Sequence, residues 1–316
     1  MFPQPPPHPT SAVVIGAGIA GLACARRLRD AGWSVTVFDK GRRVGGRMAS
    51  RDTEAGVFDH GAQFFTVREP AFAAVVHAAE ADGAVKPWPM PNRDEPVWTG
   101  APAMQHFPAW LAQGLDVRCS HQVQRVQRAN GGWYVVGESP AQGRFEQQAA
   151  ALVLTVPIPQ LAALVGDRRW PDPHYAPSWT VMLQLDAPVR LPCLHADHPV
   201  LASVIAENAR PGRVGPPRVT LQATAEWSRQ HLEQDAPMVT PRLVQAFIDF
   251  AGVPAGEVHV VSSHRWRYAL AKRPANGPYW DPGFRLGAAG DGWAAPRVES
   301  AWCSGRSLAD RIMASI

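Results

Sequence analysis

The chain has 316 residues, 46% of them hydrophobic, and a formal charge of +4. That length suits one large domain or two smaller ones; no apolar run reaches the ~18 residues of a membrane span, and no basic stripe carries the interleaved aromatics of a nucleic-acid surface. Cys24, Cys119, Cys193 and Cys303 stand far apart with no C-x-x-C pair, the pattern of reduced thiols in a cytoplasmic protein.

Residues 1–10, MFPQPPPHPT, lack the basic region and apolar run of a secretory signal and are expected to form a disordered, proline-rich tail. Ala12–Ile15 reads as a buried parallel strand, followed directly by Gly16-Ala17-Gly18-Ile19-Ala20-Gly21. A helix is expected over Ile19–Ala31, then a second strand over Ser34–Phe38 with Asp39 at its end. Gly16 permits the tight turn, Gly18 lets backbone N–H groups approach a pyrophosphate, and Gly21 lets the helix pack close to the strand. The helix N-terminus stabilises the anion, and Asp39 would accept hydrogen bonds from ribose hydroxyls while repelling a 2′-phosphate. The order of strand, glycine turn, helix, strand and acid predicts dinucleotide binding. A basic glycine loop, Gly41-Arg42-Arg43-Val44-Gly45-Gly46-Arg47-Met48, comes next.

Pro70–Ala81 is alanine-rich and reads as a helix, Trp88–Trp98 as a loop, and Gln105–Leu111 as a helix kinked at Pro108. Strands are expected at Asp116–Cys119, Gln122–Arg128 and Trp133–Val136, with a hairpin turn at Asn130-Gly131, and a buried strand at Ala151–Val156. From Asp167 to Asp281 prolines and tryptophans become dense. Strands at Ser178–Leu185, Arg218–Ala223 and His259–Tyr268 with a helix at Thr240–Phe250 suggest an inserted domain on an antiparallel sheet. In His264-Arg265-Trp266-Arg267-Tyr268, strand alternation would turn His264, Trp266 and Tyr268 to one face and the two arginines to the other. Phe284–Ala288 is a buried strand; Gly290-Asp291 and a helix from about Val298 to Met313 close the chain. The fold class is α/β: a Rossmann-type domain with an inserted α+β domain.

Other chemistry is not supported. His195-x-x-His198 lacks further ligands at metal-binding spacing, so no metal is expected. No G-x-S-x-G elbow occurs. Cys303 sits inside the last helix pattern, where packing is its expected role and not a covalent tether.

The G-G-R at Gly45-Gly46-Arg47, placed just after the acid, resembles the flavin amine oxidase superfamily. The resemblance extends to Asp59-His60-Gly61-Ala62-Gln63, to Gly100–Met104, to Thr155-Val156-Pro157 and to Gly290-Asp291 with its helix. It implies non-covalent FAD, held by Gly16, Gly18, Ile19, Ala20, Gly21, Asp39, Lys40, Gly46, Arg47, Gly61 and Ala62. It adds the backbone of Val123 against adenine, Thr155, Gly290, Asp291, Arg297, Val298, Glu299 and Ala301, the helix N-terminus facing the flavin N1 and O2 edge. Domain limits follow: 11–85, 104–166 and 282–316 for FAD, 86–103 and 167–281 for substrate.

Within that superfamily, FDKGRRVGGRM, FDHGAQFFTVR, ATAEWSRQ, HRWRYA and PRVESAW are similar to bacterial renalases. This likeness implies oxidation of 2- or 6-dihydro-NAD(P) by hydride transfer to flavin N5, with dioxygen as acceptor and hydrogen peroxide and NAD(P)+ as products. Gln63, Phe64, His264, Trp266 and Tyr268 would position the flat dihydropyridine, with no general base. One of Phe64 and Phe65 is expected to be core. Phe64 stands where these relatives often have tyrosine, and GWAAP after Gly290-Asp291 also departs from them. The alternatives are an amine oxidase, for which Lys272 is the candidate lysine, and a non-catalytic flavin-binding redox module. The oligomeric state stays open.

Overall fold

The structure is a computed structural model describing residues 7–90, 95–129, 131–166, 168, 170–189 and 198–315, with the strand backbone at 194–195. Residues 1–6, Asn130, Asp167, Cys193, the His195 side chain and Asp197 lie outside the described residues. The strands are β1 (Ser11–Ile15), β2 (Ser34–Phe38), β3 (Ser50–Thr53), β4 (Gly56–Asp59), β5 (Val85–Trp88), β6 (Val97–Gly100), β7 (Asp116–Arg118), β8 (Gln122–Ala129) and β9 (Gly132–Ser139). They continue with β10 (Gly143–Ala149), β11 (Ala151–Leu154), β12 (Tyr175–Leu185), β13 (Leu194–His195), β14 (Leu201–Ala206), β15 (Arg218–Ala223), β16 (Val258–Ala271), β17 (Tyr279–Asp281) and β18 (Leu286–Ala288). The helices are α1 (Ile19–Asp30), α2 (Pro70–Ala81), α3 (His106–Ala112), α4 (Leu161–Val165), α5 (Ala225–Gln230), α6 (Ala236–Ala251) and α7 (Val298–Ala314).

Two compact units divide the chain. The first comprises 1–46, 108–174 and 271–316, the second 47–107 and 175–270. The first is built on a six-stranded sheet ordered β17-β18-β11-β1-β2-β7. Its strands from β18 to β7 run parallel and β17 pairs antiparallel at the edge. The apolar runs of β1 and β11 are buried almost throughout, as expected for parallel strands covered on both faces. Helices α1 and α7 pack in close contact: a Cβ at Gly305 would stand 2.0 Å from the Ala20 carbonyl oxygen. A β10-β9-β8 meander completes this unit.

The second unit carries a five-stranded sheet ordered β13-β14-β15-β12-β16. On β12, Val181, Leu183 and Leu185 join Leu243 and Phe247 of α6 in one core. The intervening Met182 packs instead with Phe58 and Ala55 of the β3–β4 hairpin. Strand alternation thus separates a helix-covered face from a hairpin-covered face.

Several expectations change. Residues 47–85, read with the cofactor domain, belong to the second unit, because Val57 and Asp59 of β4 are bonded to Arg213 of that unit. Residues 167–174 and 271–281, assigned above to the inserted domain, lie in the first unit. Trp88 and Trp98 are strand residues of the β5–β6 hairpin. Pro108 causes no interruption: it lies in the first turn of α3, where its missing N–H has no intrahelical acceptor to lose. Helix α6 starts four residues before Thr240 because Asp235 caps the Met238 N–H. The chain is already tied at residues 8–10, since the His8 carbonyl accepts the Ser11 N–H and the Thr10 carbonyl accepts the Ser34 N–H.

Candidate functional site

In the first unit the glycine turn is fixed by close approach. Gly16 has φ +109°, and a Cβ on Gly21 would stand 2.0 Å from the Gly16 carbonyl oxygen, so only glycine fits there. The Thr155 hydroxyl donates to the carbonyls of Ile15 (3.1 Å) and Gly16 (2.9 Å). Thr155 is thus a prop beneath the turn. Above the turn nothing lies within 4 Å of a Cβ placed on Gly18. The 41–46 loop folds back to it: the Gly45 N–H donates to the Ala17 carbonyl at 2.8 Å, and Gly18 and Gly45 form a parallel bridge. Asp39 receives the N–H groups of Ala17 and Gly41, each at 2.6 Å. Burial raises its carboxyl above the ordinary value, against those two hydrogen bonds and the charge of Lys40. The Lys40 side chain itself is exposed, and Val123 is half-buried beside a bulge that leaves Gln124 without a cross-strand partner.

Helix termini separate this region from the rest. Glu69, Thr224 and Asp235 cap α2, α5 and α6 with their side chains. In the first unit Gln160 makes no side-chain cap on α4, and neither does Gly18 on α1, which begins at Ile19 and Ala20, nor Arg297 on α7, which begins at Val298. The termini of α1 and α7 therefore keep backbone donors for an anionic or electron-rich partner. Gly290 has φ +141° with no atom within 4 Å of its Cβ position; its N–H meets the Ser304 hydroxyl of α7 at 3.1 Å. Asp291, Glu299 and Ala301 are buried beside it.

In the second unit a buried charge cluster shapes the 59–64 segment. The side chains of Asp59 and Glu207 are 0% exposed. Arg213 bonds Asp59 at 2.7 Å and Glu207 at 2.6 Å; Arg210 bonds Glu207 at 2.9 Å. Ser50 and the Met104 N–H donate to Asp59, and Thr220 donates to Glu207. Burial alone would raise Asp59, but the two guanidiniums outweigh it and hold this carboxyl low. Burial wins at Glu207, whose carboxyl is raised. Arg210 also donates to the Gln63 carbonyl at 2.6 Å and to its Oε1 at 2.5 Å. The Gln63 amide nitrogen donates to the carbonyls of Asp59 (2.7 Å) and Gly61 (3.0 Å). Gln63 is buried with its amide engaged at both ends, so it pins the loop.

The same loop meets β16. The Arg47 carbonyl accepts the Ala62 N–H, and its guanidinium donates to the carbonyls of Tyr268 (3.2 Å) and Ala269 (3.0 Å). Gly61 fits under this carbonyl because a Cβ would lie 2.1 Å away. His60, His264 and Trp266 cluster: the His60 ring stacks on Trp266 at 5.3 Å and stands edge-on to His264 at 5.1 Å, and His264 meets Trp266 at 4.3 Å. The Trp266 indole donates to the His60 carbonyl at 2.8 Å. Burial, then His264 and Arg51, push His60 down to about 3; burial, then Arg51, push His264 down to about 4. Both imidazoles are therefore uncharged at neutral pH.

The expected alternation on β16 is present. Tyr268 faces Tyr175, with ring centroids 5.5 Å apart, while Arg265 bonds the Leu232 and Gln234 carbonyls and Arg267 pairs with Glu233. Phe65 is the core residue of its pair, packed on Phe72 and Phe107, and Phe64 lies against the Trp88, Val97 and Ile205 cluster. Sequence reading missed His60, Glu207, Arg210 and Arg213. The E-x-x-R-x-x-R spacing at 207–213 was the available signal for the last three.

Comparisons with known proteins agree with this geometry at the level of fold. Residues 14–78 match the NAD(P)-binding Rossmann-like domain family. The chain is 40% identical over 63 residues to protoporphyrinogen oxidase 2 of Arabidopsis thaliana, a match covering 20% of this chain and 12% of that protein. It is 34% identical over 92 residues to the L-amino-acid oxidase of Mus musculus, covering 29% and 14%. The chain thus matches about an eighth of the length of these curated relatives. A double mutant of putrescine oxidase, from a redesign of its cofactor binding, superposes with a TM-score of 0.70 at 15% identity, over 96% of this chain and 99% of that one. The architecture is the fold shared with that structure: a mixed α/β chain with a parallel Rossmann-type sheet and separate antiparallel sheets.

Proposed function

We propose that the protein is an FAD-dependent oxidoreductase of the amine oxidase and desaturase type, and more narrowly a renalase-like oxidase of 2- or 6-dihydro-NAD(P). The observation that carries the cofactor reading is that Gly18 and Arg297 leave the N-termini of α1 and α7 without a side-chain cap in the unit where Gly16, Gly18 and Gly21 leave room for a pyrophosphate. Gly45 folded onto the turn adds the strap that a nicotinamide-only site does not need. Asp39 with Lys40 would take the ribose, and the Val123 backbone the adenine. Gly46, Gly290, Asp291, Arg297, Val298, Glu299 and Ala301 complete the FAD set, while Thr155 supports it from below. Arg47, Gly61 and Ala62 order the segment that carries His60 and Phe64. When bound, FAD supplies the hydride acceptor and the place where dioxygen is reduced to hydrogen peroxide.

The chain's own residues then have to orient a flat ring and keep water away from it. His264, Trp266, Tyr268 and Phe64 provide aromatic surface, and Gln63 acts by holding the loop. The lysines also favour this reading over an amine oxidase. Lys40, Lys86 and Lys272 are the only three in the sequence, and all three side chains are exposed, including the candidate Lys272. Free thiols at Cys24 and Cys119 suit a cytoplasmic setting.

The test is anaerobic mixing of the yellow holoprotein with 2- and 6-dihydro-NAD(P) and with a panel of amines. Fast flavin bleaching by the dihydronicotinamides alone is the expected result. Bleaching by amines alone would overturn the substrate assignment, and a colourless protein that takes up no added FAD would overturn the cofactor.

A further inference from the structure

The unabsorbed residue in the second unit is His60. It is 5% exposed, and its Nδ1 is buried with no hydrogen-bond partner among the described residues. An unpartnered buried polar atom carries a desolvation penalty that leucine or phenylalanine would avoid. Yet the ring is held on two sides, by Trp266 stacked at 5.3 Å and by His264 edge-on at 5.1 Å. Its backbone is held too, because its carbonyl accepts the Trp266 indole N–H at 2.8 Å. At the next residue, Gly61, a Cβ would stand only 3.2 Å from Trp266 Cζ2, so the segment lies close against the indole.

We propose that His60 is a positioning residue: its ring, wedged between Trp266 and His264, locks the half-buried His264 imidazole in one orientation, so that the wall offers its ligand a fixed hydrogen-bonding group. The inference rests on the reading of His264 and Trp266 as substrate-facing. The charged groups facing this cluster are Arg51 of β3 and Asp59 beside His60. Asp59 is engaged by Arg213, Ser50 and the Met104 N–H, and Arg51 donates to Ser262 of β16. Neither carboxylate of the buried cluster is turned to His264, so its orientation depends on ring packing.

The experiment is nitrogen-15 NMR of the histidine side chains in the holoprotein, comparing wild type, His60→Ala and His60→Phe across pH 4–8. In wild type, His264 should give one sharp set of neutral-imidazole signals at pH 6, with ring contacts to His60 and Trp266. In His60→Ala its signals should broaden, the Trp266 ring contacts should weaken, and its titration midpoint should move up toward the ordinary histidine value. His60→Phe, which restores a ring between the same neighbours, should restore the sharp His264 signals and the Trp266 contacts. The reduction rate should follow, falling about tenfold in His60→Ala with little change in KM. A broadened or charged His264 at pH 6 in wild type overturns the proposal without any variant having to fold. An unchanged His264 spectrum in His60→Ala, or no restoration in His60→Phe, overturns it as well. The NMR readouts need no substrate, so failure of the dihydronicotinamide assignment, which only the reduction rate depends on, is scored separately.

Discussion

At the residue scale, the uncharged His60 makes stability depend on pH in a stated direction. An unfolded histidine titrates near its ordinary value of 6.5, whereas the folded one is pushed down to about 3. Below pH 6.5 the unfolded chain takes up a proton that the folded chain refuses. Stability is therefore full above that value and is lost as pH falls toward 3. By pH 5 the loss from His60 is about 2 kcal/mol relative to pH 7.5. Glu207 works the other way: its raised carboxyl binds a proton in the folded state first, which favours folding as pH falls. The two are separated by a variant, not by the wild-type curve alone. Urea unfolding of wild type and His60→Leu at both pH values should show the wild type losing about 2 kcal/mol more than the variant. Equal slopes would mean that His60 is not held neutral.

Helices and strands show which physical signals a sequence carries. Runs with one period over five or more residues, such as SAVVI, SVTVF and the alanine-rich α2, are visible because burial on one face dictates their pattern. β10, GRFEQQA, is largely polar and gains its partners only from the meander, and the four-residue strands β3 to β6 are too short for any period to register. The site divides in the same way. The glycine turn is legible because its spacing is local. The His60–Trp266 stack and the Asp59–Arg213 pair join residues 206 and 154 positions apart, and no local pattern marks them. The α1–α7 contact is another such pairing. A Cβ on Gly305 would meet the Ala20 carbonyl at 2.0 Å, whereas one on Gly256 would meet nothing within 4 Å. Gly305→Ala should push the helices apart and destabilise the fold by roughly 1–3 kcal/mol, and Gly256→Ala should be near neutral. Denaturant midpoints of the two variants decide this; equal values would show that α1 and α7 are not in close register.

For the whole molecule, the proposed cofactor is also a stability term. A ligand that binds only the folded chain stabilises it by about 2.7 kcal/mol at a hundredfold excess over its Kd. In a chain of 316 residues this corresponds to a rise in Tm of roughly 5 °C. Under the proposed reading the effect should be specific to FAD, because the N-termini of α1 and α7 belong to one unit and both are assigned to that cofactor. It should also run through Asp39. Asp39→Ala removes the acceptor of the Ala17 and Gly41 N–H groups, so the glycine turn loses a tie even before a ribose is present. The variant should melt lower without FAD and show a smaller FAD-dependent rise. Melting curves of FAD-stripped protein with added FAD, FMN or NAD therefore test the cofactor independently of any substrate. An equal rise with NAD would return the cradle to an ordinary nicotinamide site, and a full rise in Asp39→Ala would remove that carboxylate from the ribose.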